Sequence, residues 1–148
     1  MKTLIAGFLA ALVGCASHAP IPEDLRKPMT LGEVLDSGGT QLSKDAIVAE
    51  LPGTSWWYTS PNPGEITFRG DGTFTGFIGF SVSRTVGVGI HGTWSVTDDG
   101  QVCIQQGSVS ARTDRRCGYL FRLGSDYFTT SSPNDRAAIP ARRRLVSR

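Results

Sequence analysis

Phe68-Arg69-Gly70-Asp71-Gly72-Thr73-Phe74 opens a stretch that runs through Gly92-Thr93-Trp94-Ser95-Val96-Thr97-Asp98-Asp99-Gly100-Gln101-Val102-Cys103 to Arg116-Cys117-Gly118-Tyr119-Leu120-Phe121. Apolar and polar residues alternate along it, the period-two pattern of half-buried strands. Asp71-Gly72 and Asp99-Gly100 interrupt the pattern with the residues that supply positive φ in tight hairpins. Outward from this stretch, further strands are predicted at Trp56–Thr59, Glu65–Arg69, Thr73–Phe80, Ser81–Val88, Gln101–Gln105, Arg116–Leu123 and Tyr127–Thr130. With the alternating run Ile90, Gly92, Trp94, Val96 they make eight strands, spaced by roughly ten residues, a spacing typical of sandwiches and barrels. The expected fold is therefore mainly β: a small antiparallel up-and-down β-barrel or sandwich. Eight strands close just widely enough for their own side chains or one small ligand.

Two short helices are expected ahead of the strands. Thr30-Leu31-Gly32-Glu33 fits a capping box, with Leu31, Val34 and Leu35 as the apolar face and Gly38-Gly39 as the stop. Ser43 reads as a second N-cap. Leu42 and Ile47 form a hydrophobic staple across it, Ile47, Val48 and Leu51 form the face, and Pro52-Gly53 ends the helix. Helices this short are marginal alone, so both are expected to pack on one end of the β domain.

The N-terminus reads as a leader. Met1-Lys2 is followed by an apolar run from Leu4 to Val13, which has the length of a signal-peptide core and is too short to span a bilayer. Its end, Leu12-Val13-Gly14-Cys15, resembles the lipobox of bacterial lipoproteins. The resemblance implies diacylglycerol on the Cys15 sulfur, cleavage before Cys15 and acylation of the new amino group. It also implies a cell-envelope location, and Ala16 after the cysteine points to the outer membrane facing the periplasm. The divisions that follow are a signal peptide over 1–14, an acylated tether over 15–29, helices plus barrel over 30–132 and a basic, flexible tail over 133–148.

The chain has three cysteines. With Cys15 assigned to lipid, Cys103 and Cys117 remain as a pair in an oxidising compartment, on neighbouring predicted strands, and a disulfide between them is expected. A redox-active pair is the alternative, although the spacing is not Cys-x-x-Cys. A metal site would require ligands that the sequence does not offer beside His91.

The motifs Phe68…Asp71-Gly72-Thr73…Gly76, Gly92-Thr93-Trp94…Asp99-Gly100…Cys103 and Cys117…Tyr119 resemble those of small lipocalin-like domains of unknown function in bacterial envelope proteins. The resemblance spans Leu42 to Thr130. It implies a fold and brings no activity with it.

No catalytic set emerges. His91 is the one histidine inside the predicted domain, and the serines lack a nucleophile-elbow context. Most carboxylates sit at turns, where Asp stabilises the turn itself. Gly87-Val88-Gly89-Ile90-His91-Gly92 spells a phosphate-loop pattern, but strand rather than helix follows it, so the helix N-terminus that would meet a pyrophosphate is missing. The net charge of +2 gives no case for nucleic acid, and no cofactor or metal is expected. The charge is unevenly placed: residues 15–135 carry a net −4, and the last thirteen residues add +5 through Arg136, Arg142, Arg143, Arg144 and Arg148.

The expectation is a non-enzymatic, lipid-anchored binding module for a small apolar ligand or an envelope partner. Trp94, Tyr119 and Phe121 are the candidate ligand contacts. The alternative is a structural envelope lipoprotein whose Arg142, Arg143 and Arg144 meet peptidoglycan or anionic lipid.

Overall fold

The computed structural model describes residues 23–58, 63–79, 87–107 and 115–147. Cys15 and the leader lie outside the described residues, as do residues 81–86 of the strand expected over Ser81–Val88. Helices α1 (Leu31–Asp36) and α2 (Lys44–Glu50) flank a two-residue strand, β1 (Thr40–Gln41). The remaining strands are β2 (Ser55–Tyr58), β3 (Gly64–Phe68), β4 (Thr73–Gly79), β5 (Gly87–Val96), β6 (Gln101–Gln106), β7 (Arg115–Leu123), β8 (Asp126–Thr130) and β9 (Ala141–Ser147). From β2 to β9 each strand pairs antiparallel with the next, and β9 returns to pair with β2. The eight strands thus form a closed up-and-down barrel. β1 adds to β7 at Thr40↔Arg122 and Gln41↔Phe121, beyond the point where β6 leaves it.

The expected Asp-Gly hairpins form. Gly72 has φ 81° and Gly100 has φ 83°, in the left-handed region where glycine carries no Cβ penalty. Asp71 accepts from the Thr73 backbone N–H (2.9 Å) and hydroxyl (2.6 Å), closing the first turn with its own side chain. The other glycine-rich stretch, 87–92, is strand throughout. Gly92 lies directly opposite Phe74, and a Cβ there would come within 2.8 Å of the Phe74 ring. That glycine makes room for an inward aromatic.

Two of the expected boundaries are corrected. Gly87 and Val88 belong to β5, paired to β4 at Gly79↔Gly87 and Ile78↔Val88. The last wall of the barrel is β9, built from residues expected to be a tail. Its register with β2 is Trp56↔Leu145, Trp57↔Arg144 and Tyr58↔Arg143, and with β8 it is Phe128↔Arg142 and Asp126↔Arg144. Arginines hide the alternation of Ala141–Ser147, because the outward ones are neutralised by carboxylates rather than left in solvent.

Side chains pack in two clusters. Inside the barrel, Trp56 stacks on Tyr127 with centroids 4.8 Å apart and meets Phe68 edge-on at 4.8 Å. Phe68 in turn meets Trp94 edge-on at 5.8 Å. Ile47 and Leu51, both fully buried, belong to the same cluster, so α2 and the turn after it close this end of the barrel. Glu50 of α2 accepts from Arg122 Nη1 (2.6 Å) and the Tyr127 hydroxyl (3.2 Å), locking the plug to the wall. Val48, expected on the buried face of α2, is 50% exposed instead. Outside the barrel, Leu31 and Val34 of α1 bury Phe121 and Phe128 of β7 and β8. The capping box on α1 is present, with Glu33 N–H donating to Thr30 Oγ1 and Thr30 N–H donating to Glu33 Oε2 (2.6 Å). The next free N–H groups, on Leu31 and Gly32, donate to the carbonyls of Ala138 and Arg136, both at 2.8 Å. Only α2 therefore sits at the barrel end; α1 covers the outer wall.

Candidate functional site

At the end opposite α2 the described residues leave the barrel interior open. A cavity of about 400 Å³ lies where β4, β6 and β8 finish and β5, β7 and β9 begin. That volume falls in the range of roughly 300–1,000 Å³ common for small-molecule pockets. Trp56 forms part of its lining, with Ile66, Phe74, Ile78, Ile90 and Ile104 as apolar wall. Strand alternation places these side chains inward, since every second residue of a strand faces the same side. The polar lining comes from Gln106, Thr129, Thr130 and Ser131, together with Arg116 of β7 and Arg143 of β9. Among the described residues, no Asp or Glu lines it. The Trp56 indole N–H is buried and has no acceptor among the described residues. Leaving a donor unmet in the interior costs about 1–3 kcal/mol.

The three candidate ligand contacts do not converge on this cavity. Trp94 is inside the barrel but near the closed end, where its Nε1 donates to the Arg69 carbonyl (2.9 Å). Tyr119 and Phe121 alternate with the inward Leu120 and face outward. Phe121 is covered by α1, and the Tyr119 hydroxyl donates to Asp99 Oδ2 (3.0 Å). Asp99 also accepts from Thr97 and Gln101, and these hydrogen bonds hold its carboxyl down at about 2. Period two correctly predicts that Trp94 is inward. What it cannot supply is the depth of a residue along the barrel axis.

The three arginines expected to meet an anionic surface are divided. Arg143 shares the inward side with its register partner Tyr127 and lines the cavity. Arg142 and Arg144 face outward onto Asp126, a carboxylate only 6% exposed. Asp126 Oδ1 accepts from Arg144 Nε (2.6 Å), and Oδ2 accepts from both Arg142 Nε (2.9 Å) and Arg142 Nη2. Asp24, on the 3-10 turn Glu23–Arg26, accepts from Arg144 Nη2 at 2.6 Å. Arg144 holds the Asp24 carboxyl below the usual carboxylate range, while Asp24 and Asp126 together raise the pKa of Arg144. The charge-rich stretch is thus a structural ion cluster pinning the chain's first described turn to its last strand.

Cys103 and Cys117 form a disulfide. They are direct register partners across β6 and β7, with Cα atoms 4.0 Å apart. His91 lies on the exposed outer side of β5, away from the cavity. Among the described residues, no three side chains of His, Cys, Asp or Glu are grouped so as to hold a metal ion. The chain matches no protein-family model, and comparison with curated proteins finds no relative.

Proposed function

We propose that this protein is a non-catalytic binding module of the bacterial cell envelope, anchored through lipid on Cys15, which holds a small, mainly apolar ligand in the open end of its barrel. The observation that carries the reading is the contrast within one interior. The half beneath α2 is filled by Trp56, Phe68, Trp94 and Tyr127, whereas in the other half the described residues leave an apolar-walled space of about 400 Å³. A space of that size, walled among the described residues by Ile66, Phe74, Ile78, Ile90 and Ile104, suits a small apolar ligand. The Cys103–Cys117 disulfide fits an oxidising compartment, and the lipobox resemblance supports anchoring there. The alternative role, a tail that docks on cell wall or lipid, has less support because Arg142 and Arg144 already serve Asp126 and Asp24.

Native mass spectrometry of the purified protein tests the binding reading. A discrete added mass lost on denaturation, or saturable uptake of a neutral naphthylamine fluorophore, is expected. A bare protein mass together with no fluorophore uptake would sink it. Anchoring is tested separately by growth on labelled palmitate, where label is expected on the wild type and absent from Cys15→Ser. An unlabelled wild type would remove the anchor from the proposal.

A further inference from the structure

Two aromatic side chains belong both to the packed interior and to the cavity lining. Trp56 and Phe74 border the space, and each is only 1% exposed. From this we infer that Phe74 is the floor of the cavity and sets the length of apolar chain that the protein accepts. This rests on the cavity-binding reading above and adds the residue that decides ligand size.

Burial orders the lining by depth. On β4, Ile78 is partly buried, and Phe74, four residues nearer the closed end, is fully buried. On β6, Ile104 is partly buried, and Val102, two residues nearer that end, is buried. All four line the cavity from the inward sides of their strands. The space therefore ends at the level of Phe74, where the packed cluster that holds Phe68 and Trp94 begins.

Phe74 rather than Trp56 is the determinant because of how each is held. Trp56 stacks on Tyr127 and meets Phe68 edge-on, so its removal would open the packed cluster itself. Phe74 is seated over a missing side chain. Its register partner on β5 is Gly92, and a Cβ there would come within 2.8 Å of the ring's Cε1 and Cζ. Those are far-edge atoms of the ring, so the ring reaches sideways over β5 instead of upward along the barrel axis. Shortening this side chain lengthens the space at its base and leaves the Trp56, Tyr127 and Phe68 rings in place. Chain length then becomes the readout. Each CH₂ taken out of water strengthens binding about fourfold, whereas a CH₂ that finds no room adds nothing.

The test is displacement of the neutral naphthylamine fluorophore from the purified, disulfide-bonded protein by straight-chain alcohols from butanol to dodecanol, each below its solubility limit. The common neutral head leaves chain length as the variable. In the wild type, affinity is expected to rise about fourfold per CH₂ and then to level off at one chain length. In Phe74→Leu the levelling-off is expected at a longer chain, and in Phe74→Ala at a longer one still. For an alcohol about two carbons past the wild-type limit, Phe74→Ala is expected to bind about tenfold more tightly than the wild type. Chains shorter than that limit are expected to gain nothing. A variant that was merely loosened would bind every alcohol more weakly and keep the wild-type limit. If Phe74→Ala does not fold, the milder Phe74→Leu decides alone. An unmoved limit in folded Phe74→Leu would overturn the role of Phe74 and leave the cavity reading standing, as would a wild-type affinity that climbs through the whole series. A wild type that takes up neither fluorophore nor alcohol would overturn both.

Discussion

Asp126 shows how much one residue can decide. At the start of β8 it looks like a turn carboxylate, yet it is almost fully buried and accepts from two arginines of β9. Removing one partner of a buried ion pair is costly because the remaining charge stays desolvated; values of about 3–5 kcal/mol are typical. Arg142 and Arg144 are 16% and 24% exposed, so solvent screens part of that cost. Asp126→Ala is expected to lower stability by about 2–4 kcal/mol in urea denaturation. A change below about 0.5 kcal/mol would class the cluster with ordinary surface pairs. Asp99 carries a different prediction. Its folded-state pKa of about 2 lies below the ordinary value of 3.8, so the folded state releases this proton more readily than the unfolded chain. The stability it contributes is present above the unfolded value and is lost as pH falls from about 4 toward 2. Asp24, Asp71, Asp98 and Glu33 are lowered as well and act in the same direction. Melting temperature is expected to fall over that window, and less steeply in Asp99→Asn. An identical acid limb in the variant would remove Asp99 from the account.

Among the elements, α1 and the β6–β7 pair are the informative ones. α1 is too short to hold itself, and its value lies in covering Phe121 and Phe128 on the outer wall. Phe128→Ala empties that contact and is expected to cost about 3–5 kcal/mol, as buried aromatic truncations do. A loss under about 1 kcal/mol would mean that α1 rests on the barrel without depending on it. The disulfide joins two strands already in register, across a sequence separation of 14. Its contribution is expected mainly through the unfolded chain, at about 3 kcal/mol for a loop of this length. Urea midpoints of the wild type and of Cys103→Ala with Cys117→Ala measure it, and the slope of the transition reports any change in the unfolded ensemble. The capping box at Thr30, the Ser43 cap, the Asp-Gly turns and the cysteine pairing were all legible beforehand, because each is set by residues close in sequence or by simple counting. The site of α1 was not. An apolar helix face states that it will be buried and leaves open which apolar surface will bury it.

At the scale of the whole molecule, β9 decides whether there is a barrel at all. Without it β2 and β8 would be open edges, and open edges pair with other chains. A chain ending after Pro140 is expected to lose its sigmoidal urea transition and to elute as aggregate in size exclusion. A monomer with the wild-type melting temperature would show that closure by β9 is dispensable.

From the sequence alone follow the mainly β class with its barrel or sandwich of short antiparallel strands, most of the strand boundaries, both helix starts, both Asp-Gly turns and the Cys103–Cys117 pair. These are properties of local chain chemistry: side-chain alternation, positive φ and backbone capping act over a few residues. The tertiary structure alone decided which residues make the eighth wall, which of three adjacent arginines faces inward, and where the interior is left unfilled. Each of those depends on partners distant in sequence. Asp126 turns an arginine run into a strand, and the depth of a side chain along the barrel axis is set by the register of neighbouring strands. A cavity is the space that packing from all eight strands leaves over, and no single segment encodes it.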